Sequence, residues 1–339
     1  MPCLYVCSQD VRVQSSSRHL MVYHREKMGA EEQMTRVPLF EIDRVIIVGR
    51  APISVGAIHA ILRQKCPITF LTRSGKNLGS VTPPVRGSSL LRVRQLDLAR
   101  NIEFRQAVSE GIVYAKVSNS RQVLIRLRRN RELSLDHLDR AIDRLQKILQ
   151  EVGGDNDVDS LRGLEGAAAA AYFSGLEGAF PDWAGFKGRN RRPPRDPVNA
   201  VLSFIYSLLS SEIESYIVGA GLDPCIGFLH GLGYGRPSLA LDLVEPYRAP
   251  VADMLALHLF GHNILKENMF DPMENGGIYL NKEGKKKMFG QYEQRMDKAF
   301  RPNRGAVHTT IRKYMRNNVF ALIHAMQFKE LYIPFMYEG

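Results

Sequence analysis

Two stretches of the chain hold side chains of the kind that metal-assisted chemistry uses. Glu165 lies in GLEGAAAAAYF, and His230, Asp242 and Glu245 lie in GFLHGLGYGRPSLALDLVEPYR. Asp242 and Glu245 are three residues apart, a spacing that puts both on one face of a helix. Carboxylates in apolar surroundings are costly unless they are paired or bound to a metal. One imidazole with carboxylates, leaving coordination positions open, suits a hard divalent cation in a catalytic site. Taken singly, each residue also has a structural reading. Glu165 can be a helix-end carboxylate reaching an arginine, His230 a hydrogen-bonded core residue, and Asp242 with Glu245 a salt-bridge cluster with Arg236 and Arg248. Pro246 removes the N–H that would bond the Asp242 carbonyl, so the helix is expected to bend or restart beside the carboxylates.

These groups need elements to position them, and a chain of 339 residues is long enough for two domains. At 45% hydrophobic and 24% charged it has a globular composition. Lys plus Arg number 46 against 35 Asp plus Glu, a net charge of +11, which makes nucleic acid the leading partner class. Cys3, Cys7, Cys66 and Cys225 have the spacing of neither a zinc knuckle nor a disulfide framework, which fits a reducing cytoplasm. The N-terminus lacks the order of a signal peptide, and no apolar run is expected to reach the ~18 residues of a membrane helix.

The expected class is α+β, a small β-rich N-terminal domain over 1–84 followed by a larger all-α domain over 85–339. LYVCS, VRVQ, HLMVYH and RVIIVG read as strands, and PITFLTRSGKNLGSVTPP as strand, Ser74-Gly75 turn, strand. ISVGAIHAILRQK is the one helix among them, and Pro83-Pro84 mark the boundary. Beyond it the period becomes helical. Ser134 and Ser160 are expected caps for two helices, and DPVNAVLSFIYSLLSSEIESYIVGAG reads as a long apolar helix ending at Gly219 or Gly221.

Three basic clusters stand out: Lys116, Arg121, Arg126, Arg128 and Arg129; Lys187, Arg189, Arg191, Arg192 and Arg195 in a proline-rich loop; and Lys285, Lys286 and Lys287. Each is either a solvated charge run or a contact to phosphates. GLGYG does not fit a dinucleotide fingerprint, and His258 with His262 lacks the glutamate of a zinc protease motif, so neither is assigned a ligand.

In order along the chain, RVIIVG, ISVGAIHAIL, ITFLTRSGK, AKVSNSR, LRGLEGAAAAAYF, RRPPRDPVNAVLSFIYSLL, GLDPCIGFLH, GRPSLALDLVEPYR and NGGIYLNKEGKKKMFGQYEQR resemble the CRISPR adaptation integrase, the first-numbered CRISPR-associated (Cas) family. RRPPRDPVNA and GRPSLALDL look most like its type I-C branch. The resemblance implies a catalytic helical domain in a homodimer, with the β-rich domain serving dimerisation and partner contact. It implies a divalent metal, Mg²⁺ or Mn²⁺, on Glu165, His230 and Glu245, with Asp242 as an acidic neighbour important for activity in some relatives. It places Asn199 and Tyr206 near the site and matches Lys116, Asn119 and Arg121 to a basic helix segment. The residues expected to face DNA are Lys116 and Arg121 of that segment, with Arg189, Arg191, Arg192, Arg195, Lys285 and Lys286 of the basic clusters. Expected partners are double-stranded DNA, as captured fragment and CRISPR repeat, and the small second Cas protein, with no membrane. The implied reaction is attack of a DNA 3′-hydroxyl on a phosphodiester at the repeat edge, or of water in an endonuclease reaction. This chain departs from relatives in having alanines where they often carry charge after Glu165-Gly166. The rival readings are a metal-dependent nuclease of repair or recombination and a noncatalytic basic DNA-binding scaffold.

Overall fold

The structure, a computed structural model, describes residues 3–7, 11–24, 33–84, 89–129, 136–190, 193–231, 233–301 and 307–338. Ser134, Arg191 and Arg192 lie outside the described residues.

Seven strands and one helix form the N-terminal region: β1 (Cys3–Val6), β2 (Val11–Ser16), β3 (His19–His24), β4 (Gln33–Pro38), β5 (Arg44–Val48), α1 (Val55–Arg63), β6 (Ile68–Leu71) and β7 (Asn77–Val81). Strands β2, β3 and β4 make an antiparallel sheet. The sequence did not announce β4, whose QMTRVP mixes polar residues into the run and ends in proline. The second sheet has the order β1-β5-β6-β7, parallel except for the β6–β7 hairpin. Its central strand shows why RVIIV is apolar throughout. Val45 and Ile47 point into a core shared with β2, β3 and α1, while Ile46 and Val48 on the opposite face join the core of the helical region.

The expected Ser74-Gly75 turn is present. Gly75 has φ +86°, and a Cβ there would stand 2.7 Å from the Phe204 ring, so only glycine lets the hairpin tip lie on the helical region. Tyr5 fastens a second point by stacking on Phe289 at 4.2 Å and donating its hydroxyl to Glu293 at 2.6 Å.

Helices follow: α2 (Ser89–Arg100), α3 (Ile102–Arg129), α4 (Asp136–Val152), α5 (Val158–Gly175), α6 (Pro197–Gly219), α7 (Ser238–Tyr247) and α8 (Met254–Gly261). Two short ribbons are set among the last elements: β8 (Phe270–Pro272), β9 (Ile278–Leu280), α9 (Lys282–Asp297), β10 (Ala299–Phe300), β11 (Thr309–Thr310) and α10 (Ile311–Phe328). The expected cap of α5 is corrected. Asp157, not Ser160, caps it, and its Oδ1 accepts the Ser160 N–H at 2.7 Å. Also corrected is the expectation that no segment is apolar and long enough to cross a membrane. Helix α6 is, by length and composition, but here most of it is buried among other helices as a core element.

Beyond Pro246 the helix changes its hydrogen-bond period. Helix α7 runs into a π-helical segment, Arg248–Asp253, before α8 resumes. Pro250 in that segment cannot offer an N–H to the Pro246 carbonyl four residues earlier. Asn119 of α3 donates to that carbonyl instead, at 2.7 Å.

Candidate functional site

Helices α3, α5 and α7 and the loop before α7 meet at one place. Arg162, one turn before Glu165 on α5, donates Nε to the carbonyl of Leu229, next to His230, at 2.9 Å. The loop is held from the other side by Asp242 of α7. Its Oδ2 accepts the N–H groups of Phe228 and Leu229 at 2.6 and 3.0 Å. Its Oδ1 accepts the His230 N–H at 2.9 Å and the His230 Nδ1 at 2.7 Å. Asp242 is fully buried and has four donors, so it has no exposed lone pair to offer a cation. A carboxylate acceptor puts the ring proton on Nδ1, and Nε2 then carries the lone pair. Gly227 makes this wrap possible, since a Cβ there would lie 2.8 Å from Asp242 Oδ2.

Glu245, 3% exposed, lies one turn further along the same face of α7, as the spacing predicts. Its Oε1 meets Arg248 at 3.2 Å. Its Oε2 is buried and lies 2.6 Å from Lys116 Nζ, an ion pair. Lys116 also pairs with Oε1 of Glu165. One ammonium thus bridges the two carboxylates. Burial pushes the Glu245 carboxyl up, but Arg248 and then Lys116 more than offset this and hold it at about 2.

Lys116, suggested by the resemblance as a DNA-facing residue, is therefore turned into the site. Asn119 is a buried clamp, with donors to the Pro246 and Phe335 carbonyls and an acceptor for the Tyr337 N–H. Arg121 is half-buried, with an Nε lacking a partner. Tyr206 stands beside the site. Its ring lies between Arg248 at 5.0 Å and Arg189 at 5.3 Å, and its hydroxyl donates to the buried Asp253 at 2.6 Å. Asn199 is one step more remote. It shapes the basic loop through Gly188, Asn190, Asp196 and Arg189. Arg195 and Lys286 are exposed, and Lys285 is partly buried near Cys7, Arg73 and Asp271. The rings of His258 and His262 lie 4.3 Å apart, tilted by 47° to each other.

The sequence reading overlooked Arg162 and the bridging role of Lys116. The signal for Arg162 was its place three residues before Glu165, on the same helical face. Lys116 had no local signal, since its partners are on two other helices.

Among the described residues, no three His, Cys, Asp or Glu side chains already form a metal cage. Lys116 pairs with two of the donors. The donor chemistry nevertheless fits a divalent cation. It comprises a buried carboxylate paired to an ammonium, a second carboxylate paired to the same ammonium, and an imidazole whose Nδ1 is fixed by a carboxylate, as metal-binding histidines commonly are.

A family model described as CRISPR associated protein Cas1 matches residues 4–294. A CRISPR-associated endonuclease Cas1 of Thermodesulfovibrio yellowstonii is 34% identical over 87% of this chain and 91% of its own length. Among solved structures, a casposase bound to integration product superposes with a TM-score of 0.87 at 24% identity, covering 100% of this chain and 95% of its own. The chain of a Cas6-RT-Cas1–Cas2 complex matches 99% of this chain with 36% of its own, at a TM-score of 0.82 and 25% identity.

Proposed function

This chain belongs to the CRISPR-associated Cas1 family and is an endonuclease-type integrase of CRISPR adaptation, and we propose that its site holds a divalent cation between Glu165, His230 and Glu245. The observation that carries the reading is the pairing of the buried Glu245 and of Glu165 by one ammonium, which shows two carboxylates drawn to a single positive charge. When bound, Mg²⁺ or Mn²⁺ supplies Lewis acidity to a phosphate oxygen and stabilises charge on the attacking and leaving oxygens. An imidazole donor shifts the preference toward Mn²⁺.

The protein's own residues do the positioning. Asp242 fixes the His230 ring and its tautomer, and through the Phe228 and Leu229 amides it sets the height of the loop. Arg248 keeps Glu245 ionised in a buried setting. Lys116 holds the carboxylates together and, when displaced toward solvent, is a cation for substrate phosphate. The nucleophile is the 3′-hydroxyl of a captured DNA fragment, or water in the endonuclease reaction, so no serine, tyrosine or cysteine takes part covalently. Exposed cations such as Arg195 and Lys286, with Arg189, position DNA through its backbone. The reading extends to a cytoplasmic homodimer of the type I-C branch, joined through the β-rich domain to the small second Cas protein. A similar solved chain belongs to a Cas1–Cas2 complex, which supports that partner.

Glu165→Ala, His230→Ala and Glu245→Ala should each lower joining of a labelled fragment to repeat DNA by more than about 100-fold with the fold intact. Joining that persists in EDTA would overturn the metal-dependent mechanism.

A further inference from the structure

Residues 330–338, after α10, have no regular secondary structure, yet they are anchored at two places. Tyr332 and Phe335 are buried, while Leu331 and Ile333 are exposed. Asn318 of α10 holds one end of this tail. It accepts the Tyr332 hydroxyl at 2.7 Å and donates to the Ile333 carbonyl at 3.2 Å. Asn119 of α3 holds the other end. Its Oδ1 accepts the Tyr337 N–H at 2.7 Å, and its Nδ2 donates to the Phe335 carbonyl at 2.9 Å.

The second N–H of that amide goes to the Pro246 carbonyl, next to Glu245, at 2.7 Å. Together the three contacts allow one orientation. A flipped amide would set its NH₂ against the Tyr337 N–H and its oxygen against two carbonyls. The tail backbone therefore makes Asn119 present a donor to the carbonyl that Pro250 leaves without one. The tail also reaches the far side of Pro246, because the Phe335 ring stacks on Tyr247 at 4.7 Å with the planes 4° apart. Lys116, three residues before Asn119 on α3, pairs with the Glu245 carboxylate. Helix α3 thus grips α7 twice, at the Glu245 side chain and at the backbone just after it, and the tail completes the second grip. The tail lies beyond residue 294, where the family match ends.

We infer that residues 332–337 are a brace for Glu245, and that Asn119 is the positioning residue through which the brace acts. The inference rests on the metal reading above and adds to it a part of the chain remote in sequence. Regular helical hydrogen bonds do not hold the Pro246 carbonyl, so without the brace the backbone at Glu245 is free to shift. Ligand geometry tolerates shifts of only about 0.5 Å, so the shift is read as lost metal affinity.

The test is calorimetric titration of the full chain with Mn²⁺, beside melting without metal. Asn119→Ala should weaken Mn²⁺ binding about tenfold, while KM for the DNA fragment stays at the wild-type value. Asn318→Ala also removes a buried anchor of the tail, but one that bonds no part of α7. It should lower Tm and leave Mn²⁺ affinity at the wild-type value. Wild-type affinity in Asn119→Ala would overturn the brace, and so would an equal loss in both variants, since affinity would then follow overall stability. Phe335→Leu carries the test if Asn119→Ala does not fold. It keeps an apolar side chain and loses the stack on Tyr247, and should weaken Mn²⁺ about threefold, with unchanged affinity again overturning the brace. Wild-type protein that binds no Mn²⁺ would instead overturn the metal reading itself, and this inference with it.

Discussion

Asp242 Oδ1 accepts both the backbone N–H and the ring Nδ1 of His230, at 2.9 and 2.7 Å. One oxygen thus sets where the histidine sits and which of its nitrogens carries the proton. Asp242→Asn keeps the shape but replaces an acceptor-only group with one that can present an N–H to Nδ1, favouring the wrong tautomer. Mn²⁺ affinity, measured by calorimetry, should fall about 10–100-fold, as for other partners of metal-bound histidines. An unchanged affinity would make Asp242 a loop anchor and nothing more.

Lys116 bridges Glu165 and Glu245. Lys116→Met leaves two carboxylates facing each other across a part-buried gap. Without metal, the variant should melt about 1–3 °C below wild type, since a loss of about 1–2 kcal/mol moves the midpoint of a chain this long by about that much. Saturating Mn²⁺ should recover most of the loss, giving a larger metal-induced rise in Tm than wild type shows. Equal rises in the two proteins would mean that the ammonium does not occupy the cation's place.

The two regions are joined by a buried charge cluster. Glu212 of α6 meets Arg44 of β5 at 2.6 Å and Arg312 of α10 at 2.8 Å, and accepts from the hydroxyls of Tyr216 and Tyr292. Burial pushes its carboxyl up, but Arg44 and then Arg312 more than offset that and hold it at about 2. Its folded pKa lies below its unfolded value, so its contribution to stability is complete above about pH 4.5 and is lost as pH falls through about 2. Urea titrations should show about 3 kcal/mol disappearing over that window. Glu212→Gln should lack that acid slope and be less stable by about 3–5 kcal/mol at pH 7, because Arg44 is left buried without its counterion.

Asp253 behaves in the opposite sense. Burial pushes its carboxyl up to about 7, with a partial offset from the Tyr206 hydroxyl. Between about pH 4 and pH 7 the folded protein holds a proton that the unfolded chain has released, so this group lowers stability as pH rises through that range. Asp253→Asn keeps an acceptor for Tyr206 and removes the ionisation. It should raise Tm relative to wild type at pH 8 and have a smaller effect at pH 5. A greater benefit at pH 5 would reverse the assignment.

Much of the site could be read along the chain. Asp242 and Glu245 share a face because a three-residue step nearly closes a helical turn, and a proline without an N–H marks the irregular helix beside them. The strand run RVIIV and the long helix after the basic loop were legible for the same reason, since backbone periodicity is a local property. Which groups meet across elements was not legible. Lys116 was one cation in a basic run until α5 and α7 brought two carboxylates to it. Asp242 was one acid of three until the loop folded four donors around it. Arg44, Glu212 and Arg312 are far apart in sequence, and none has a local pattern that marks it. Local spacing determines which way a side chain leaves its helix, whereas its partner is chosen by packing, which desolvates charges and forces each to find an opposite one.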